Sequence, residues 1–264
     1  MPLADDLKRA AALLHAARRV VVVTGAGIST ESGIPDFRSP GGLWSRHDPS
    51  QLTFNRFCAS LETRKLYWEI ATQAYPVMRD AEPNAAHEAV VAIERAGKLL
   101  ALVTQNVDGL HQKAGSSPEL TIEIHGSALG VRCIECGTDA DREAVHRLVS
   151  DGDGAPTCDV CEGPLKPATI SFGQAMPERE TSSAFAAAAS CDLMIVIGSS
   201  LVVYPAAALP EEAVRRGAAL VIVNREPTGH DRLAEVVVHG SAGESMRRIA
   251  DEAGLLASRR GFDG

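Results

Sequence analysis

Two apolar patterns alternate along the chain. Short, continuous, largely β-branched runs recur at residues 20–23, 99–104, 120–124, 193–197, 220–223 and 236–238. Between them, apolar residues return at helical spacing over 3–18, 84–96, 178–189, 205–216 and 241–253. A strand with no polar side is one buried on both faces, as a parallel sheet requires. Such strands alternating with amphipathic helices predict an α/β fold, a Rossmann-like doubly wound parallel sheet.

Two stretches break the rhythm. Residues 41–82 carry Trp44, Phe54, Phe57, Leu61, Tyr67 and Trp68, mostly in helical patterns. Residues 127–168 hold four cysteines and the loop signal "DGDGAP". The expected division is a Rossmann-like domain of residues 1–40, 83–126 and 169–264. A helical insertion over 41–82 and a zinc-ribbon insertion over 127–168 would then form a smaller second domain across the ligand crevice.

Composition narrows the function classes. The chain has 264 residues, 45% of them hydrophobic, enough for one or two domains with a sizeable core. Its formal net charge is −8, from 26 Lys and Arg against 34 Asp and Glu. That balance gives no support for phosphate-driven nucleic-acid binding. No apolar run reaches the roughly 18–20 residues that span a bilayer. The N-terminal "MPLADDLKRAAALLHAARR" lacks a signal peptide's order of positive, apolar and small regions, so a cytoplasmic protein is expected.

Four of the six cysteines form two knuckles, Cys133-x2-Cys136 and Cys158-x2-Cys161. In a reducing compartment such pairs favour metal over disulfides, and four thiolates suit one structural zinc. Unligated thiols and a nucleic-acid ribbon are the alternatives. Arg132, Arg142, His146, Arg147 and Lys166 are offset by eight nearby carboxylates, so no basic face results.

Other candidates cluster where strands end. "GAG" at 25–27 follows the first strand, where glycines let backbone approach a pyrophosphate, but Thr30 stands where a dinucleotide fingerprint has its third glycine. The polar stretch then continues to Trp44, where a plain dinucleotide fold would begin its helix at once. "IGSS" at 197–200 and "VNRE" at 223–226 end two further strands, and Asn224 suits a ribose hydroxyl. "TQNVDGLH" at 104–111 brings Gln105, Asn106 and Asp108 to the same edge. Each of these residues also suits a plain turn. His125, in "IEIHGS", is placed for a general base, with a hydrogen-bonded structural histidine as the alternative and His111 and His87 as helix-associated rivals.

Taken in order, "GAGISTESGIPDFRSPGGLW", "TQNVDGLH", "IHGS", the paired knuckles, "FGQAMP", "GSS" and "VNRE" resemble the sirtuin family of NAD-dependent protein-lysine deacylases, bacterial-type members included. The resemblance runs from about residue 18 to 245. It implies that the long first motif is a glycine turn followed by a cofactor-binding loop that closes over NAD. By motif, Gly25, Ala26, Gly27 and Ser29 belong to the NAD site, with Asp36, Phe37 and Arg38 on the loop. Ile34, Asn106 and Asp108 would form the nicotinamide pocket, and Gln105 would contact the ribose. Gly198, Ser199, Ser200, Asn224, Arg225 and the backbone near Ala242 would hold the adenosine half. Asn106 and His125 would be catalytic, and Phe172 and Gly173 would pair with substrate. The implied partners are acyl-lysine proteins or peptides, with no specific nucleic acid and no membrane.

The chemistry so implied starts when the acyl oxygen attacks the nicotinamide ribose and nicotinamide leaves. His125 then activates a ribose hydroxyl, giving free lysine and O-acyl-ADP-ribose. Protein mono-ADP-ribosylation and a non-catalytic NAD- or zinc-binding module are the alternatives. Family members that prefer succinyl or malonyl carry Tyr-x-x-Arg in the helical insertion. Alignment puts Ala71 and Ala74 there, so acetyl is expected ahead of acidic acyl groups. Ser171 and Gln174 also depart from the common pattern, although strand-like peptide pairing uses backbone groups.

Overall fold

The computed structural model describes residues 2–36 and 48–256. Its first half runs α1 (Pro2–Ala16), β1 (Val20–Thr24), α2 (Phe54–Ala59), α3 (Leu61–Asp80), α4 (Ala85–Arg95), β2 (Leu99–Thr104) and α5 (Leu110–Ala114). It continues through β3 (Thr121–Glu123), β4 (Gly126–Cys133), β5 (Asp139–Ala140), α6 (Arg142–Ser150), β6 (Leu165–Thr169) and α7 (Glu178–Ser190). The last elements are β7 (Leu193–Ile197), α8 (Leu209–Arg215), β8 (Ala219–Val223), β9 (Val236–Val238) and α9 (Ala242–Glu252).

Six strands form one parallel sheet in the order β3-β2-β1-β7-β8-β9. Alternate residues of β1 serve opposite cores. Val20 and Val22 pack with Leu7, Leu14, Val90 and Ile249 of α1, α4 and α9. Val21 and Val23 pack with Ala184, Leu209 and Ala213 of α7 and α8. Both sides of the strand are therefore apolar, which is why it reads as an unbroken run. The chain reverses direction across the sheet at β1, between β2 and β7. In open α/β sheets the crevice beyond such a switch point is where ligands bind.

A second, antiparallel sheet runs β5-β4-β6. Trp68 of α3 is fully buried against Val131, Cys133, Val145, Cys158 and Leu165, and its indole Nε1 donates to the Leu165 carbonyl at 2.9 Å. The two interruptions of the α/β rhythm thus share one core. Asp141 starts α6 as its N-cap, accepting from the Ala144 N–H at 2.6 Å, and so sets Arg142 in the first turn.

Two elements differ in detail from the sequence expectation. The strand expected over 120–124 is reduced to Thr121–Glu123. The helix expected over 205–216 begins as a 3₁₀ turn, Ala206–Ala208, before α8. Where a plain dinucleotide fold would begin its helix, the chain makes two 3₁₀ turns, Ala26–Ile28 and Thr30–Ser32.

Candidate functional site

The loops at the C-terminal edge of the parallel sheet meet almost backbone to backbone. Gly198 has φ +63, and a Cβ there would lie 2.2 Å from the Ile28 nitrogen. A Cβ on Gly27 would lie 2.8 Å from the Gly198 Cα. The immediate need for these glycines is the opposing loop. Their effect is to bring two strand ends together at one cavity rim.

That cavity has a volume of about 860 Å³. Its sheet end is walled by Gly25, Ala26, Gly27, Asp36, Gln105, Asn106, Gly198, Ser199, Ser200, Asn224, Arg225 and Ala242. Its other end is walled by α3, through Tyr67, Ile70, Ala71, Ala74, Tyr75 and Met78, and by Ala128, Arg142 and Pro167. Phe172 and Gly173 lie on the wall as well, with Phe172 half exposed. Most of the residues singled out from the sequence are thus brought together.

Three are not on the wall. Ser29, Ile34 and Asp108 are buried behind it. The Ser29 hydroxyl donates to Asp108 Oδ2 at 2.7 Å and accepts from Asn106 Nδ2 at 3.0 Å. Asp108 Oδ1 accepts from the Leu110 N–H at 3.0 Å. Ser29 and Asp108 therefore orient Asn106 from beneath. Ile34 belongs to a small cluster with Ala81 and Leu110. Gln105 Nε2 donates to Ser199 Oγ at 2.9 Å, crossing from one strand end to the next. Phe37 and Arg38 lie outside the described residues.

His125 stands at the junction of β3 and β4, on the cavity wall. Its Nδ1 is 3.0 Å from the Gln105 carbonyl oxygen, and its own carbonyl accepts from the Ile170 N–H at 2.8 Å. A carbonyl only accepts, so Nδ1 carries the proton. Nε2 of the neutral ring is left with its lone pair. Burial lowers the imidazole pKa, against a smaller opposing effect of the Gln105 bond. The ring therefore stays neutral near pH 7.

The rival histidines are sealed away. His87 and His111 meet edge to face with ring centroids 4.9 Å apart, and His111 Nε2 is 3.0 Å from Thr24 Oγ1. Burial pushes His87 down to about 4, with Asp108 opposing, and His111 to about 3, with His87 adding to the effect.

The four knuckle thiols come together. Their Sγ atoms all lie within 4.8 Å of one another, with Cys133–Cys161 at 3.5 Å and Cys136–Cys158 at 3.7 Å. Zinc–thiolate bonds of about 2.3 Å in a tetrahedron set sulfurs roughly 3.8 Å apart, so the cluster fits that ion. Thr138, through its hydroxyl and its backbone N–H, favours the thiolate of Cys136 and lowers it to about 6.

Sequence reasoning gave no cavity role to Tyr67, Tyr75 or Arg142. Tyr67 Oη is 3.0 Å from Thr169 Oγ1 and 3.1 Å from Ser171 Oγ, and the Ser171 N–H donates to Gln174 Oε1 at 3.1 Å. The two departures at 171 and 174 are thus partners in one local turn. Their aromatic neighbour is visible in the sequence, but its direction depends on α3 packing against the second sheet.

The description "Sir2 family" matches residues 25–205. The chain is 47% identical to NAD-dependent protein deacetylase 1 of Bradyrhizobium diazoefficiens, over 92% of this chain and 95% of that protein. It is 39% identical to NAD-dependent protein deacylase 2 of Archaeoglobus fulgidus, over 97% and 99%. Among solved structures it resembles a Sir2 protein with a deacetylated p53 peptide and 3′-O-acetyl-ADP-ribose, at TM-score 0.86 and 36% identity over 94% of this chain and 98% of that one. A Sir2–p53 peptide–NAD+ complex matches at TM-score 0.85 and 36% identity, over 95% and 99%. The parallel sheet with a crevice at its switch point defines a doubly wound α/β protein, and within that class the chain belongs to the Sir2 family.

Proposed function

We propose that the chain is an NAD-dependent protein-lysine deacylase that removes acetyl groups and releases nicotinamide and O-acyl-ADP-ribose. The observation that carries this reading is the set of His125. One ring nitrogen is fixed on the Gln105 carbonyl, and the other is left basic on the wall of a cavity with a polar sheet end and a largely apolar far end. NAD, when bound, supplies a cationic leaving group on a ribose carbon that an acyl oxygen can attack.

The residues do the rest. The rim at Gly25–Gly27 and Gly198–Ser200 takes the phosphates and adjacent sugar, and Asn224 and Arg225 take the adenosine side. Asn106, held by Ser29 and Asp108, and Gln105, held by Ser199, are oriented for the nicotinamide half. Acyl-lysine enters along α3 and the second sheet, with Phe172 and Gly173 beside the peptide. His125 Nε2 takes the ribose hydroxyl proton, and the apolar wall of Ile70, Ala71 and Met78 keeps water from the reacting carbon. Cys133, Cys136, Cys158 and Cys161 hold one zinc, which braces the insertion lobe without touching the reaction. No helix among the described residues is long and apolar enough to cross a membrane, which is compatible with a cytoplasmic enzyme. The relatives' names bear on deacylation and give nothing to protein mono-ADP-ribosylation.

His125→Ala tests the reading. Acyl transfer should fall by about 10²–10⁴-fold with the melting temperature preserved. A wild-type rate in a folded variant would remove His125 from the chemistry.

A further inference from the structure

Helix α4 starts in the stretch "EPNAAH", and its N-cap is Asn84. Asn84 Oδ1 accepts from the Ala86 N–H at 2.9 Å, and the Asn84 N–H donates to His87 Nδ1 at 3.3 Å, which closes a capping box. His87 is fully buried, and burial keeps its ring neutral, so Nδ1 is free to accept. As a cap, Asn has no advantage over Ser or Asp. What it adds is a pair of donors. Neither Nδ2 hydrogen goes to the helix. One goes to the Ile28 carbonyl at 2.7 Å and the other to Ser32 Oγ at 2.9 Å, 56 and 52 residues away along the chain. The network fixes this orientation, because a helical N–H only donates and a carbonyl only accepts.

The two anchors straddle Ser29. The Ser29 carbonyl accepts from the N–H groups of Ser32 at 3.0 Å and Ile34 at 3.3 Å, so the segment is one folded turn. Its hydroxyl, in a side chain only 1% exposed, bridges Asp108 and Asn106. Asp108 belongs to the same loop as Asn106 and can shift with it, whereas Ser29 ties that loop to another part of the chain. The front of the turn is held by the Gly198 loop, where the Gly27 N–H donates to the Gly198 carbonyl at 2.8 Å. The rear is held by Asn84 and by Glu31, whose Oε1 accepts from the Gly243 N–H at 2.8 Å. Glu31 is exposed, so water replaces that bond at little cost. Ile28 is fully buried, so its carbonyl without Asn84 would stay unmatched.

We propose that Asn84 is a positioning residue for Asn106: from the start of α4 its carboxamide holds the turn that carries Ser29, and Ser29 sets the Asn106 carboxamide at the cavity wall. The proposal rests on the deacylase reading, in which Asn106 serves the nicotinamide half of NAD. Asn84 itself is not on the wall and touches no ligand. It acts by keeping a polar group in place, and small displacements of such groups are costly to a reaction.

The test uses Asn84→Ser and Asn84→Asp in the full chain, since both keep a helix cap and remove the two donors. The first readout needs no ligand. The side-chain NMR signals of the Asn106 carboxamide, identified by their loss in Asn106→Asp, should exchange with solvent at least about tenfold faster in both variants. Those of Gln105, which bonds to Ser199 away from this turn, should stay as in the wild type. The second readout is calorimetric affinity for NAD and for ADP-ribose, which lacks nicotinamide. NAD should bind at least about fivefold more weakly in the variants and ADP-ribose less than about twofold more weakly. The proposal is overturned if either readout is unchanged in folded variants. It is also overturned if Gln105 changes as much as Asn106, or if both ligands weaken equally, because Asn84 would then merely brace the fold. If neither variant folds, Ser32→Ala, which removes one of the two anchors, decides by the same criteria. A wild type that binds no NAD would sink the deacylase reading, while the Asn106 signals would still decide the role of Asn84.

Discussion

The two ends of the cavity are held by different means. At the sheet end, loops lie in direct backbone contact and buried hydrogen bonds link Ser29, Asn106 and Asp108, and Gln105 with Ser199. At the insertion end, the wall rests on Trp68, the stacked Arg142 and four clustered thiols. The first end derives its shape from a large continuous core. The second has a small core and needs a cross-link. His125 is tied to both, through Gln105 on one side and Ile170 on the other. On the proposed reading, the cofactor would sit on the sheet scaffold and the substrate on an element that zinc would brace.

The largest break in this comparison should come from the thiols. Cys133→Ser or zinc removal should unfold or loosen the insertion lobe, by several kcal/mol or roughly the cost of a lost structural metal. Elemental analysis should find one zinc per chain beforehand. Hydrogen exchange should then rise across 127–168 while the parallel sheet stays protected. Equal protection in both forms would mean that the lobe stands without metal.

A smaller break belongs to the sheet end. Asn106→Ala or Asp108→Ala leaves buried partners unmatched and should weaken apparent NAD affinity by about 10–100-fold. Acyl-peptide affinity, set at the other end, should change less than about threefold in the same variants. Titrating each ligand separately checks this. Loss of peptide binding without loss of NAD binding would reverse the assignment of the two ends.

Another break concerns pH and acts on stability rather than on ligand affinity. His87 and His111 have folded-state values depressed to about 4 and about 3, chiefly by burial. In the unfolded chain both titrate near 6.5. The unfolded state therefore binds more protons between those limits. The resulting stability is complete above pH 6.5 and is lost as pH falls toward 4 and then 3. Each imidazole contributes a slope of at most about 1.4 kcal/mol per pH unit. Denaturant titrations at pH 7, 6 and 5 should show this decline, and His111→Asn should flatten it. A flat wild-type profile would mean that these rings are not sealed.

The strands were legible because burial on both faces leaves no polar residue in them, as Val20–Thr24 illustrates. The thiol cluster was legible because the ligand spacing is itself local. Ser29 and Asp108 were legible only as members of a motif. A polar side chain at a strand end can face a ligand or a neighbouring loop, and these two face each other. The start of the run after β1, Ala26–Ser32, makes 3₁₀ turns because the Gly198 loop occupies the space beside it. Arg142 was not legible as a cavity residue. Its position depends on α3 meeting the start of α6 across 71 residues of sequence, and no periodicity carries that information.

The most direct measurement is the stoichiometry of one turnover. Wild-type protein, NAD and an acetyl-lysine peptide, quenched and resolved by mass spectrometry, should give nicotinamide, free-lysine peptide and O-acetyl-ADP-ribose in equal amounts. Free acetate with plain ADP-ribose from the outset, or ADP-ribose attached to protein with the acetyl-lysine intact, would contradict acyl transfer at this site.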